Sequence, residues 1–370
     1  MKKNLICILL LLITLIGCSN PKVVVKTIYL DEAFSIIPIV SIIDYEHSFN
    51  NVDLQTTLSK ITNELDKKFN VFKDDSLISK VNNNAGIKEV LVDDEFIYVL
   101  QEAINISKAT KIKEKALYDV TIYSVWKEWK FNENYYKYYN YASPPPYDII
   151  KQKLPLVNYE KIQINYENKT VYLEHPQMAI DLGSIVKGYA ADKISEYLLF
   201  NGYENCLIDV GGNIVTLGKN IGTNKKWKAG ILMPYTYSNE IGYINTLTPK
   251  ETFVTSGIYE RYIVEKNMET NEEKIYHHIL NPNTGYPENN ELLSVTIITT
   301  QSIFADALST AVFLMGLNEG YKYVLANKNI DAVFITKNKE VIITPNIKNR
   351  FVANEEINQN DYKIINYDLI

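Results

Sequence analysis

Asp306 and Thr310, in the run Ala305-Asp306-Ala307-Leu308-Ser309-Thr310, are the side chains of this sequence best spaced to hold a hard cation. In a helix, residues four apart stack on one face, here a carboxylate and a hydroxyl with small neighbours around them. Mg2+ takes oxygen ligands and keeps water or phosphate among them, so this pair and one backbone carbonyl would suffice. The plainer alternative is a first-turn helix acid and a buried hydroxyl bonded to its own helix. Proton transfer is the second chemistry on offer. His277 and His278, two of the chain's four histidines, stand directly before the rigid turn Asn281-Pro282-Asn283-Thr284-Gly285. An imidazole titrates near neutral pH, although a structural histidine beside an ordinary turn would read the same way. The third is anion binding. Gly183, Ser184 and Lys187 lie where a strand becomes a helix, so free N–H groups and a positive charge coincide, while Thr255, Ser256 and Gly257 either face a phosphate or form a bulge.

Several elements must position these groups. Apolar spacing predicts amphipathic helices over Asn51 to Phe69 and Glu95 to Ser107, a short helix capped by Asp75 or Ser76, and a helix through Lys187 to Phe200 that stops at Asn201-Gly202. Ser302 to Val324 is the helix that carries Asp306. Strands are expected at Ile36 to Tyr45, with Pro38 marking an edge or bulge, and at Met178 to Leu182, Cys206 to Val210, Ile214 to Leu217, Trp227 to Leu232, Phe253 to Gly257, Tyr276 to Leu280 and Val295 to Thr300. Hairpins are expected over Ile162 to Leu173 and Asp331 to Ile343. The aromatic segment from Ala116 to Phe131 reads as core, and Asn134 to Tyr147, rich in tyrosine and proline, as an exposed excursion. Gly211-Gly212 follows a strand without the dinucleotide spacing and leads into another strand.

The N-terminus sets the compartment. Two lysines and an apolar run from Leu5 to Ile16 form a signal peptide over residues 1–17, with Cys18 after Leu15-Ile16-Gly17 as the residue to be lipidated. The expectation is a protein tethered to a membrane by its Cys18 lipid and facing the extracytoplasmic or periplasmic side. Only Cys206 then remains as a free thiol, so stability must come from the core. Formal charge is −6, or −8 once Lys2 and Lys3 are removed, which argues against a nucleic-acid partner. An anionic substrate would need a local lysine or a metal.

Five motifs occur in order: Asp181-Leu182-Gly183-Ser184-Ile185-Val186-Lys187-Gly188-Tyr189-Ala190-Ala191-Asp192, Val210-Gly211-Gly212-Asn213, Thr255-Ser256-Gly257-Ile258-Tyr259-Glu260-Arg261, His277 to Gly285, and Ala305 to Thr310. Together they resemble the ApbE family, the FAD:protein FMN transferases. Echoes at Asp75-Ser76 to Asn82 and at Tyr118-Asp119-Val120-Thr121 to Trp126 extend the likeness over roughly residues 36 to 345. The resemblance implies an α+β fold, a single T-fold-related catalytic unit of mixed, largely antiparallel sheets with packed helices. The domain plan is then residues 1–17 signal peptide, 18–35 lipidated N-terminus and tether, 36–345 catalytic unit and 346–370 C-terminal extension.

It also implies a Mg2+-dependent transferase that cleaves the FAD pyrophosphate, attaches FMN through a phosphoester to a threonine of an acceptor flavoprotein, such as a redox-pump subunit, and releases AMP. Metal ligands would be Asp306, Thr310 and a backbone carbonyl at Gly183 or Ser184. Asp119, Gly183, Lys187, Thr255, Ser256, Gly257 and His278 would bind FAD, with His278 and Asp306 catalytic and His277 structural. FAD hydrolysis to FMN and AMP, or flavin binding without chemistry, are the alternatives. The chain departs from the family pattern at Asn213, Ile258 and Asn281, where acids are usual or frequent, and at Ser35-Ile36-Ile37, where a Met-Gly-Thr motif is usual.

Overall fold

The computed structural model describes residues 22–46, 53–132, 141–236, 238–247, 249–355 and 361–365. The stretch read as a signal peptide, Cys18 and residues 134–140, half of the Tyr/Pro-rich segment, lie outside the described residues. A nine-stranded sheet forms the frame: β1 (Val23–Tyr29), β2 (Ile39–Tyr45), β3 (Cys206–Val210), β4 (Asn213–Leu217), β5 (Lys250–Gly257), β6 (Leu292–Thr299), β7 (Asp331–Thr336), β8 (Glu340–Ile343) and β9 (Lys363–Ile365). Its order in space is its order in sequence. Every neighbouring pair is antiparallel except β8 with β9. With smaller two- and three-stranded sheets and the helices, this is the expected α+β fold of largely antiparallel sheets.

Helices α1 (Leu54–Phe69), α2 (Leu77–Asn83), α3 (Asp94–Ala109) and α4 (Val186–Phe200) all come from the long connection between β2 and β3, and α5 (Ser302–Ala326) follows β6. Their caps are those the sequence supplies: Asp53 accepts from Thr56 N–H, Ser76 from Ser79 and Asp93 from Phe96. Helix α1 buries Leu54, Leu58, Leu65 and Phe69, and the Phe69 ring stacks on Phe96 of α3 at 5.4 Å. Both faces of β6 are covered, so all but its last residue are buried.

Four expectations are corrected. Val23–Tyr29, read as tether, is the edge strand β1; its mostly exposed face hides the alternation that marks a strand. Pro38 is neither edge nor bulge but the residue before β2, where its missing N–H is not needed and its carbonyl accepts from Leu30. Met178 to Leu182 is not a strand. The Asn82 side chain bonds both N–H and carbonyl of Ile180, at 2.8 and 2.9 Å, and replaces a strand partner. Helix α5 is broken at Gly316, whose φ of 74° and ψ of 178° only glycine adopts easily. Asn290 bonds the Phe313 carbonyl and Glu291 accepts from Leu317 N–H, so both broken ends are satisfied.

Part of the stretch assigned to a C-terminal extension also belongs to the fold. Phe351–Ala353 pairs with Glu240–Asn245, which in turn pairs with Lys228–Leu232. The Arg350 guanidinium grips the buried Glu251 carboxylate of β5 through both oxygens at 2.9 and 3.0 Å.

Candidate active site

The junction of α4 with α5 creates the site. Gly188 lets the two helices touch, because a Cβ there would lie 2.1 Å from the Ser302 carbonyl oxygen and 2.8 Å from the Asp306 Cβ. One turn on, Asp192 accepts from Ser302 and Ile303 N–H at 3.0 and 2.9 Å and pairs with Lys250 at 2.7 Å. A carboxylate of α4 thus caps the start of α5. Asp306 is thereby fixed in the next turn of α5, buried, with Gly188 N–H donating to its Oδ2 at 2.9 Å.

Around this carboxylate are other oxygens. The Lys187 ammonium donates to the Gly183 carbonyl at 2.9 Å and lies 3.6 Å from Asp306 Oδ1. Thr310, one helical turn after Asp306, has its hydroxyl 3.1 Å from that of Ser256, which is 2.7 Å from Ser309. Strand alternation turns Thr255 to the other face of β5, where its hydroxyl meets that of Thr296 at 2.8 Å. Tyr118 and Ser184 hydroxyls are 2.9 Å apart. Asn213 Oδ1 is buried with no partner. Burial pushes the Asp306 carboxyl upward against the lowering effects of Lys187 and Gly188 N–H. Asp181 and Glu260 are raised by burial too, with Lys187 and Arg261 opposing.

These residues fit a hard cation. Among the described residues no three or more His, Cys, Asp or Glu form a metal cluster, so an ion here would rest on one carboxylate with carbonyl and hydroxyl oxygens. Mg2+ is bound in that way when substrate phosphates complete its shell. The Lys187 ammonium already stands where such a charge would be held, and its contact selects the carbonyl of Gly183.

His278 reaches the site from the strand Glu273–His277. Its Nδ1 is 3.0 Å from the Arg261 carbonyl oxygen, which only accepts, so Nδ1 carries the proton and Nε2 of the neutral ring is an acceptor. His277 has the opposite arrangement: Nε2 donates to the Glu288 carbonyl at 2.9 Å, Nδ1 is buried without partner, and the ring meets Phe313 edge-on. Trp126 and Trp129 donate to the carbonyls of His278 and Gly285, at 3.1 and 3.0 Å, and brace the turn.

All ten residues singled out in the sequence, Asp119, Gly183, Ser184, Lys187, Thr255, Ser256, Gly257, His278, Asp306 and Thr310, line one cavity of about 570 Å³. Their engagement differs. Asp119 gives its oxygens to Thr121 N–H and hydroxyl and to Tyr159 N–H, at 2.9, 2.6 and 2.9 Å, so it shapes the wall and has little left for a ligand. Sequence reading missed most of the apolar wall: Phe34, Ile36, Phe72, Tyr123 and Trp126 face the same space. Trp126 was taken as core, and half of that reading holds. Trp129 and Phe131 are buried with Ile263 and Tyr276, whereas Trp126 stacks with Tyr123 at 6.0 Å on the cavity side. Phe34 and Ser35 occupy a tight turn at φ of 54° and 61°, closed by Ala33 and Ile36 and anchored by Phe34 N–H on Asp66 at 2.7 Å. This turn stands where the chain departs from Met-Gly-Thr. Glu260 and Arg261 also line the cavity, and their place in the Thr255 to Arg261 motif was the available signal.

The model of the ApbE family matches residues 35–334. A protein of Klebsiella pneumoniae named FAD:protein FMN transferase is 32% identical over 278 residues, 75% of this chain and 80% of that protein. One of Treponema pallidum with the same name is 28% identical over 290 residues, 75% of each chain. Among solved structures, the ApbE protein of Thermotoga maritima superposes with a TM-score of 0.73 at 26% identity, over 89% of this chain and 99% of that one. The flavin transferase ApbE of Vibrio cholerae gives 0.71 at 22% identity, over 92% and 99%, a likeness of fold.

Proposed function

The chain belongs to the ApbE family, and on that premise we propose that it is a Mg2+-dependent FAD:protein FMN transferase, which moves FMN to a threonine of an acceptor flavoprotein and releases AMP. The observation that carries this reading is the convergence of five separated motifs on one cavity, with Asp306, Thr310 and the Gly183 carbonyl beside an anion-holding lysine.

Asp306, Thr310 and the Gly183 carbonyl would hold Mg2+, which when bound supplies positive charge to the diphosphate oxygens. Lys187 and the backbone of Thr255 to Gly257 hold the remaining phosphate oxygens, and the wall that includes Tyr123 and Trp126 takes the apolar face of the flavin or adenine. The acceptor threonine Oγ attacks the FMN phosphorus, the bond from that phosphorus to the bridging oxygen breaks, and AMP leaves with that oxygen. The threonine proton passes to His278 Nε2, which the Arg261 carbonyl keeps free by holding Nδ1–H. Burial holds the His278 pKa down to about 3. The negative charge of a bound diphosphate raises it toward the range where a base is effective. Placement follows from the sequence: a lipid on Cys18 tethers the enzyme to the membrane, on the extracytoplasmic or periplasmic side, where it meets its acceptor.

The test is incubation of the protein with FAD, Mg2+ and an acceptor flavoprotein, read by intact mass of the acceptor and by AMP. One FMN added per AMP released is expected, with Asp306→Asn lowering the rate by about 10²- to 10³-fold. AMP without acceptor modification would assign hydrolysis instead, and intact FAD would leave a binding protein only.

A further inference from the structure

Lys187 and Gly188, neighbours in the chain, hold the two oxygens of one carboxylate. The Lys187 ammonium faces Asp306 Oδ1 at 3.6 Å and the Gly188 N–H bonds Oδ2 at 2.9 Å, while the same ammonium bonds the Gly183 carbonyl at 2.9 Å. Asp306 is buried, and a buried carboxylate requires a compensating charge at all times. One of the three protein oxygens assigned to the metal, the Gly183 carbonyl, is therefore already bonded by a cation that belongs to the protein, and a second, Asp306 Oδ1, is paired with it at 3.6 Å. An ammonium sits about 2.7–2.9 Å from its acceptors and Mg2+ about 2.0–2.1 Å from its ligands. A divalent ion drawing on Asp306 Oδ1 and the Gly183 carbonyl would stand beside an ammonium that already bonds that carbonyl, and the two positive charges would repel.

We propose that Lys187 is the resident counter-ion of the metal site: it neutralises Asp306 until a divalent cation arrives, leaves Gly183 and Asp306 as that cation enters, and then binds the diphosphate of the incoming substrate. The inference rests on the metal-site reading above and adds an exchange of cations to it. A lysine suits this role, since its point charge on a flexible four-carbon stem can occupy two positions, which a planar guanidinium in a fixed fork does less well. Metal and substrate then become coupled. In the absence of substrate, metal entry must displace an ammonium that has no new partner; with diphosphate present, the displaced ammonium gains one. Each ligand strengthens the binding of the other.

Calorimetric titration of Mg2+ alone into the metal-stripped full-length protein tests this, comparing wild type with Lys187→Met and Asp306→Asn. Lys187→Met is expected to bind Mg2+ at least about tenfold more tightly than wild type, within the range of about 5- to 150-fold common for coupled sites. Its KM for FAD should rise, and the rise in Tm on adding Mg2+ should exceed that of wild type. Lys187→Gln, which keeps a polar end, serves if the methionine variant folds poorly. If the neutral variants bind Mg2+ no more tightly than wild type while Asp306→Asn abolishes binding, the exchange is wrong and the metal site stands. If Asp306→Asn binds as wild type does, or neither wild type nor the Lys187 variants bind, the metal-site reading itself fails and the exchange with it.

Discussion

His278 gives its Nδ1 proton to the Arg261 carbonyl and His277 gives its Nε2 proton to that of Glu288, so adjacent imidazoles are locked in opposite tautomers. Burial lowers both pKa values, to about 3 and about 4 respectively. A lowered histidine pKa keeps the ring neutral at pH values where a free ring would be charged. In the protein without metal or nucleotide, two histidine rings should therefore show no NMR titration between pH 8 and pH 5, and a midpoint near 6.5 for His278 would contradict its environment. Substitution separates the roles. His278→Gln should lower kcat by about 10²- to 10⁴-fold with little change in stability, the cost of losing a general base. His277→Ala should cost about 1–3 kcal/mol in urea unfolding, because the Glu288 carbonyl loses its donor, with kcat changed only a few-fold.

Helices α4 and α5 depend on one another at Gly188. In Gly188→Ala the new Cβ meets the Ser302 carbonyl, which is backbone and cannot turn aside. The helices must separate, with a cost of about 1–3 kcal/mol and a shift of the N–H that Asp306 uses. Thermal melting and FMN transfer should both decline, and a variant with wild-type Tm and rate would show that the contact is not needed. At this scale the sequence was legible where periodicity and capping operate. Ser76, one of two cap candidates, caps its helix, and the four-residue spacing of Asp306 and Thr310 placed both on the cavity. It was illegible where a distant side chain substitutes for a backbone partner. Asn82 converts Met178 to Leu182 from an apparent strand into a pinned loop, and the break at Gly316 depends on Asn290 and Glu291, which no local pattern connects to it. The cavity's aromatic wall had the same difficulty, since Trp126 and Trp129 are three residues apart and only tertiary contacts send one to the ligand space and the other to the core.

For the molecule as a whole, Arg350 ties the C-terminal stretch to the main sheet. Its ion pair with Glu251 is nearly enclosed, with side chains 13% and 8% exposed, and joins the strand next to it, Phe351–Ala353, to β5. Arg350→Met leaves Glu251 buried without a cation and should cost about 3–5 kcal/mol, measurable by urea unfolding. Loss of less than about 1 kcal/mol would mean that water reaches the carboxylate. Neither the pair nor β9 could be foreseen from residues 346–370, which lack strong alternation and find their partners across the fold.

The order of the sheet has a kinetic consequence. Strands β2 and β3 are neighbours, yet residues 46–205 lie between them, so their contact has a large loop-closure entropy and a long search. Synthesis from the N-terminus exposes the β1–β2 hairpin first. The inner edge of β2, rich in isoleucine and valine, then waits on the order of 10 s at ribosomal rates for the strand that will cover it. An unpaired apolar edge is a template for aggregation during that interval. The slow step in making this enzyme is thus the meeting of Ile39–Ile42 with Cys206–Asp209, and a chaperone that protects the early hairpin would raise the yield of folded protein more than one acting on the later strands.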